Sequence, residues 1–479
     1  MKLLIWKMCI VVISCIFTLS NLHADDTLPL GGRTAGMGGA GIAFGSDSAM
    51  PYLNPAGITR VPGNVLSLSL SVYNQAKYTV MDYYVPGSVD TTTPEFGPDY
   101  NYDQEYLISS GFVGFPGSLC YFMHLGGGVA HFSIIVPKYE RQAFEGDLSL
   151  TYTNTGFGGS AEFKFADSII FQHTEYYIGP GYGVTMGNMR LGASAFVLYR
   201  TILKSVDNTS LDTVYVTGTP YYVNSTNNGY GEGNSFSLAP ILGLQYDISS
   251  SLSLGLSLAL PAMHIYGTYK NSFRGQQSYP DQFGVYDVLD IQRGEGEIAY
   301  RKPMKFRAGL GYEKTKKWSF ALDVEYIFKK NNTVTGDVTY KIWYYENESP
   351  LNYYEEDVDS EYGNASALNI YLGGEYYLNP SWVLRAGFFM MPSTTEELDT
   401  DSPNDILTFK INRYGISLGF GNITEAGETS YGLLFIYGKG ETVADDVFTD
   451  LNNPEYTTVD VNHYMIALFV SGAVDFSGM

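Results

Sequence analysis

"VLSLSLSVY", residues 65 to 73, alternates without a break: Leu66, Leu68, Leu70 and Val72 share one face of an extended chain, and Ser67, Ser69 and Ser71 share the other. Successive side chains of a strand point to opposite sides, so this is one apolar face and one small polar face. "LSLGLSLAL" (252 to 260) repeats the scheme, with Leu at every even position. Alternation alone fits a soluble sandwich and a membrane barrel equally well, and the connections between strands separate the two.

Period-two segments recur along the chain and predict fourteen strands, near 64–77, 105–115, 126–138, 174–186, 189–205, 234–248, 252–268, 301–313, 318–330, 366–378, 382–391, 409–421, 429–440 and 460–473. Tight turns follow the fourth, sixth, eighth and tenth: "GN", "SSS", "KTKK" and "NPS". Long polar insertions follow odd-numbered strands, as at 207–233 and 331–363. Short turns on one rim, long loops on the other and an even strand number predict an all-β, transmembrane antiparallel β-barrel of about 14 strands, spanning 63–476.

The distribution of charge agrees. Lys or Arg facing lipid at mid-depth costs roughly 2–4 kcal/mol. In 318–328 the even positions are Trp318, Phe320, Leu322, Val324, Tyr326 and Phe328, whereas Asp323 and Glu325 are odd. Pairing 312 with 318 would set Arg307 against Asp323 and Lys305 against Glu325; the next hairpin would set Glu375 against Arg385, with Arg413 following on the same inner face. Lys302 and Lys410 share the lipid-facing parity but fall at strand ends. Trp318 and Trp382 each follow a tight turn, where an interfacial aromatic girdle belongs.

Composition supports an exported, disulfide-free chain. "MKLLIWKMCIVVISCIFTLSNLHA" has two lysines, an apolar run and a small-residue stop, which predicts a signal peptide over 1–24. Removing its two lysines takes the net charge from −22 to −24, which argues against nucleic acid as a partner. Only Cys120 remains after the leader. No zinc, nucleophile-elbow or other catalytic motif occurs, so neither an enzyme, a metal site nor a cofactor is predicted. "GMGGAG" (36 to 41) matches a dinucleotide fingerprint literally but lacks the preceding strand and following helix that give that motif its mechanism.

Residues 25–62 carry no strand pattern, and their Gly and Ala allow close backbone packing. "RTAGMGGAGIAFGSDSAMPYLNPAG" (33 to 57) resembles the N-terminal hatch of the FadL-type outer-membrane transporters of long-chain fatty acids and hydrocarbons, through Gly36, Gly38, Gly41, Asp47, Ala49, Asn54, Pro55, Ala56 and Gly57. The resemblance implies a hatch inside the lumen, capture of a hydrophobic, fatty-acid-like ligand at outer loops, and lateral release into the outer membrane beside a kinked third strand. Gly126, Gly127, Gly128 and Pro137 are the candidates for that kink, since Pro cannot donate to the ladder. Arg413, Arg385, Arg307 and Lys305 are the candidates for a luminal cation that binds a ligand carboxylate. The C-terminus departs from the family's usual aromatic ending, because "SGM" follows Phe476. A surface docking, adhesion or secretion-associated role, through a protein partner at the long loops, and a small-solute porin are the alternatives.

Overall fold

A strand face immersed in hydrocarbon requires every backbone N–H and C=O to find its partner within the wall, and a sheet meets that demand only by closing on itself. The computed structural model describes residues 28–476 apart from 82, 84–100, 103–105, 113–114, 155–158, 217–218, 282–283, 315, 348, 401–407, 426 and 446–455. The predicted leader and the terminal "SGM" lie outside the described residues.

The sheet is a closed antiparallel barrel of 14 strands. They are β1 (Val65–Met81), β2 (Tyr106–Phe112 with Phe115–Leu125), β3 (Gly128–Asn154), β4 (Gly159–Met186), β5 (Met189–Val216), β6 (Thr219–Asp247), β7 (Leu252–Ala259 with Met263–Asp281), β8 (Gly284–Tyr300 with Lys305–Lys314), β9 (Trp318–Ile327 with Lys330–Glu346), β10 (Ser349–Asn364 with Ala367–Asn379), β11 (Trp382–Met391), β12 (Lys410–Thr424), β13 (Gly427–Asp445) and β14 (Tyr456–Asp475). Each pairs with the next, and β14 closes on β1 from Val65↔Asp475 to Val80↔Val461. Leu66, Leu68, Leu70 and Val72 face outward, while Ser67 and Ser69 are buried in the bore. Trp318 stacks on Tyr312 at 4.9 Å and Trp382 on Phe420 at 4.8 Å, both beside tight turns.

Four details correct the sequence expectations. The insertions at 207–233 and 331–363 largely continue the strands, with Thr213↔Tyr222 and Val338↔Val358 in register. Their Thr, Val and Tyr suit a pleated ladder once the register is set below them. Gly126 and Gly127 lie outside the third strand: at φ 59 and 85 they form the β2–β3 turn, and Gly128 is the first residue of β3. Two consecutive positive φ angles are the geometry of a tight hairpin turn, which glycine adopts without a Cβ clash. The β8–β9 register is shifted by two, Lys314↔Trp318, because Lys316 at φ 53 closes a shorter turn. Arg307 therefore lies directly opposite Glu325 and reaches Asp323 diagonally. Lys302, finally, is buried, because β8 breaks between Tyr300 and Lys305 and strand parity does not carry across the break.

Leu418, 60% exposed on the outer face of β12, measures the lipid contact. Leu418→Arg is expected to destabilise the barrel by roughly 2–4 kcal/mol in denaturant unfolding from lipid vesicles. A loss under about 1 kcal/mol would place this position outside the hydrocarbon.

Candidate functional site

The segment before β1 packs against the inner faces of the strands. It holds two single-turn helices, α1 (Arg33–Gly36) and α2 (Met50–Leu53), and a 3-10 turn over Pro55–Arg60. Asp47 joins the helices by accepting from Thr34 N (2.8 Å), Thr34 Oγ1 (2.9 Å) and Ala49 N (3.2 Å). Asn54 caps the 3-10 turn, its Oδ1 accepting from Ala56 N at 3.2 Å. Its amide donates to Ile42 O at 3.0 Å and to Leu244 O of β6 at 3.1 Å. Pro55 opens the turn, where a missing N–H leaves nothing unpaired.

Glycines on both surfaces allow this approach. Gly38, at φ 67, lies on the β11 backbone, where a Cβ would stand 2.9 Å from Phe388 N. Gly36 abuts Arg385, Gly57 packs on Gly45 and Met50, and the Gly41 N–H donates to Asp323 at 2.9 Å. The wall reciprocates. A Cβ added at Gly192 would stand 2.3 Å from Pro55 C, one at Gly243 2.1 Å from Asn54 Oδ1, and one at Gly387 2.1 Å from Met37 C. These wall glycines were missed in the sequence, although their signal is there: glycine at an inward position of an otherwise regular strand.

Charged pairs complete the seat. Arg33 of α1 reaches Glu375 (2.5 Å) and Glu313 (3.0 Å). Arg385 binds the same Glu375 at 2.8 Å, Glu428 at 2.6 Å and Ser430 at 2.7 Å. Arg307 donates to Gly39 O and pairs with Asp323 at 2.9 Å. Asp323 in turn accepts from the amides of Gly41 and Ile42. Arg385 and Arg307 thus hold the inner segment. Lys305 is buried beside Ala259 and Ile327.

A second tie crosses the bore and joins non-adjacent strands. Glu175 of β4 receives Lys302 Nζ at 2.7 Å and Tyr300 OH at 3.0 Å from the β8 side, with His173 at 3.3 Å. Arg200 of β5 donates to His173 at 2.8 Å and lies over the Tyr300 ring at 3.6 Å. No linear motif marks this cluster, because its members come together only when the barrel closes.

The β2–β3 seam is where the wall is least regular. Pairing runs from Leu125↔Gly128 to Ser118↔Ile135 and resumes at Ser109↔Phe144. Among the described residues no backbone pairing joins β2 to β3 between Val136 and Ala143. On the β4 side the register passes from Ile135↔Tyr177 to Lys138↔Glu175, so β3 carries one extra residue at Val136–Pro137. That bulge reverses which parity faces inward: His131, Ser133 and Ile135 are buried before it, and Lys138, Gln142 and Phe144 after it. A cavity of about 60 Å³ opens beside this stretch, lined by Leu28, Lys138, Glu140 and Arg413, and by Tyr78 and His463. Arg413 lies 3.9 Å from Glu140, an acidic neighbour that strand register did not predict. Glu140 also accepts from Tyr78 OH at 3.0 Å and Gln142 at 2.7 Å.

A closed 14-strand transmembrane barrel with an N-terminal segment seated in its bore is a recognisable class. The fold is that of the FadL-type barrels. The chain superposes on the toluene transporter TodX of P. putida (TM-score 0.54, 15% identity, covering 95% of this chain and 100% of that one). It matches a FadL homologue of Pseudomonas aeruginosa (TM-score 0.55, 15% identity, 95% and 99%) and the toluene transporter TbuX of Ralstonia pickettii (TM-score 0.51, 14% identity, 94% and 100%) similarly. No protein-family model and no curated protein matches the sequence.

Asp323→Ala tests the seat. Removing one partner of a buried pair costs about 3–5 kcal/mol, so the variant's unfolding midpoint should fall and residues 33–44 should become open to added protease. Unchanged protease resistance would show that Asp323 does not hold the segment.

Proposed function

We propose that this protein takes up hydrophobic small molecules, fatty-acid-like in character, across the bacterial outer membrane. Ligand is captured at the outer loops and enters the cavity beside β3. Residues 25–62 act as the hatch, and ligand leaves sideways into the lipid through the β2–β3 seam. Fold neighbours named as toluene transporters support hydrophobic cargo in general. Arg413 is the luminal cation best placed to meet a ligand's polar end, since it lines the cavity, whereas Arg307 and Arg385 lie against the inner segment.

One observation carries this reading: the stretch of β3 that, among the described residues, has no backbone pairing to β2 coincides with the cavity. The cavity is lined by Leu28 of the inner segment, Arg413 of β12, and Lys138 and Tyr139 just past the bulge. Unpaired backbone exposed to lipid costs several kcal/mol per group, so non-ladder backbone at membrane depth belongs where it lines a cavity. Pro137 contributes no N–H there and so leaves no orphan donor.

Deletion of Pro137 removes the extra residue while preserving the facing of both halves of β3. Uptake of labelled hydrophobic ligand by cells expressing the deletion variant should fall to the level of cells without the protein, with heat-modifiable barrel migration on gels retained. Wild-type uptake through an intact deletion variant would refute lateral release at this seam.

A further inference from the structure

We propose that the cavity beside β3 selects ligands with a hydroxyl head on an apolar body, a phenol or an alcohol, over plain hydrocarbons, and that His463 is the residue that reads this head. The inference rests on the uptake reading above and assigns the substrate class of the same site.

His463 lies on β14, 3% exposed, and lines the cavity. Its ring stacks on Tyr78 at 4.2 Å with the planes 20° apart. Gly438, directly opposite on β13, leaves room for the ring, since a Cβ there would stand 3.1 Å from His463 Cβ. Neither Nδ1 nor Nε2 has a hydrogen-bond partner. Buried polar side chains are nearly always partnered, so an orphaned imidazole aimed into a cavity points to a ligand. By contrast His131, equally buried, bonds Ser133 at 2.8 Å and Ser194 at 2.9 Å.

Asn74, further along the inner face of β1, lines the same cavity, and its Oδ1 is also without a partner. Between the two polar points lie Ala76, Met465 and Ile436, an apolar wall for the carbons next to a ligand's polar head; the space of about 60 Å³ enclosed there takes the head, and the rest of the body extends beyond it. A neutral imidazole offers one donor and one acceptor, and the Asn74 oxygen is an acceptor. A hydroxyl both donates and accepts and so answers either group, whereas a hydrocarbon does neither; a carboxylate, which only accepts, is met in this cavity by Arg413 and not by His463.

The test uses three ligands that share one body: toluene, p-cresol and p-toluate. Their binding to full-length protein in detergent is measured calorimetrically for wild type, His463→Phe and His463→Gln. Phe keeps the stack on Tyr78 and removes both nitrogens, while Gln restores a donor and an acceptor. Wild type should favour p-cresol over toluene by about five- to tenfold, the worth of one net hydrogen bond. That ratio should collapse toward unity in His463→Phe and recover in part in His463→Gln, with Tm held close to wild type in both. A ratio unaltered by His463→Phe, or p-toluate binding tightest with the same dependence on His463, overturns the proposal. Uptake by cells is scored separately: His463-dependent binding without uptake would refute transport and leave the site standing.

Discussion

The constraint on which the rest depends is the one that hydrocarbon imposes on the backbone. With no water outside the wall, each N–H and C=O must be answered by a neighbouring strand, and only a closed sheet leaves no edge. The closure of β14 on β1 therefore organises the molecule. It sends Leu66, Leu68 and Leu70 outward and the alternate serines inward. It also makes any lapse in the ladder informative, and the stretch from Val136 to Ala143, without pairing to β2 among the described residues, coincides with a cavity, where an irregular backbone can be accommodated.

Inside the bore the problem is reversed, because polar groups there must be paired in a confined space. Burying an ion pair offsets much of its own Coulomb gain by desolvation, so such pairs contribute position more than stability. Glu375 is shared between Arg33 and Arg385, and Asp323 between Arg307 and two amides of the inner segment. These groups fix where the segment sits. The Glu175 cluster ties β4 to β8 across the bore in the same manner. Arg413 and His463 stand apart, because they line a cavity that the segment joins through Leu28.

Much of the wall was legible in the sequence. The inward register of Glu375 and Arg385 follows from alternation and a short turn, and the structure pairs them. Legibility failed where a turn or a break resets the register or the facing. The turn at Lys316 shifted Arg307 from Asp323 to Glu325, the break after Tyr300 turned Lys302 inward, and Gly126 and Gly127 made a turn instead of loosening a strand. A two-residue repeat carries no memory across an inserted or omitted residue, so the break after Tyr300 inverts the facing on its two sides.

By itself the sequence determined the barrel, the strand number and the greasy exterior, because alternation and turn spacing are local properties that hydrocarbon filters directly. It also marked Asn54 and Pro55 among the residues that resemble the hatch motif. Only the tertiary structure decided which inner groups meet beyond a single hairpin. Gly192 and Gly243 against the Asn-Pro turn, Glu175 against Lys302, and His463 and Lys138 around one cavity all join residues distant in the chain. Their proximity arises from the closure and stagger of the whole sheet, a geometric sum over all its strands that no single segment contains.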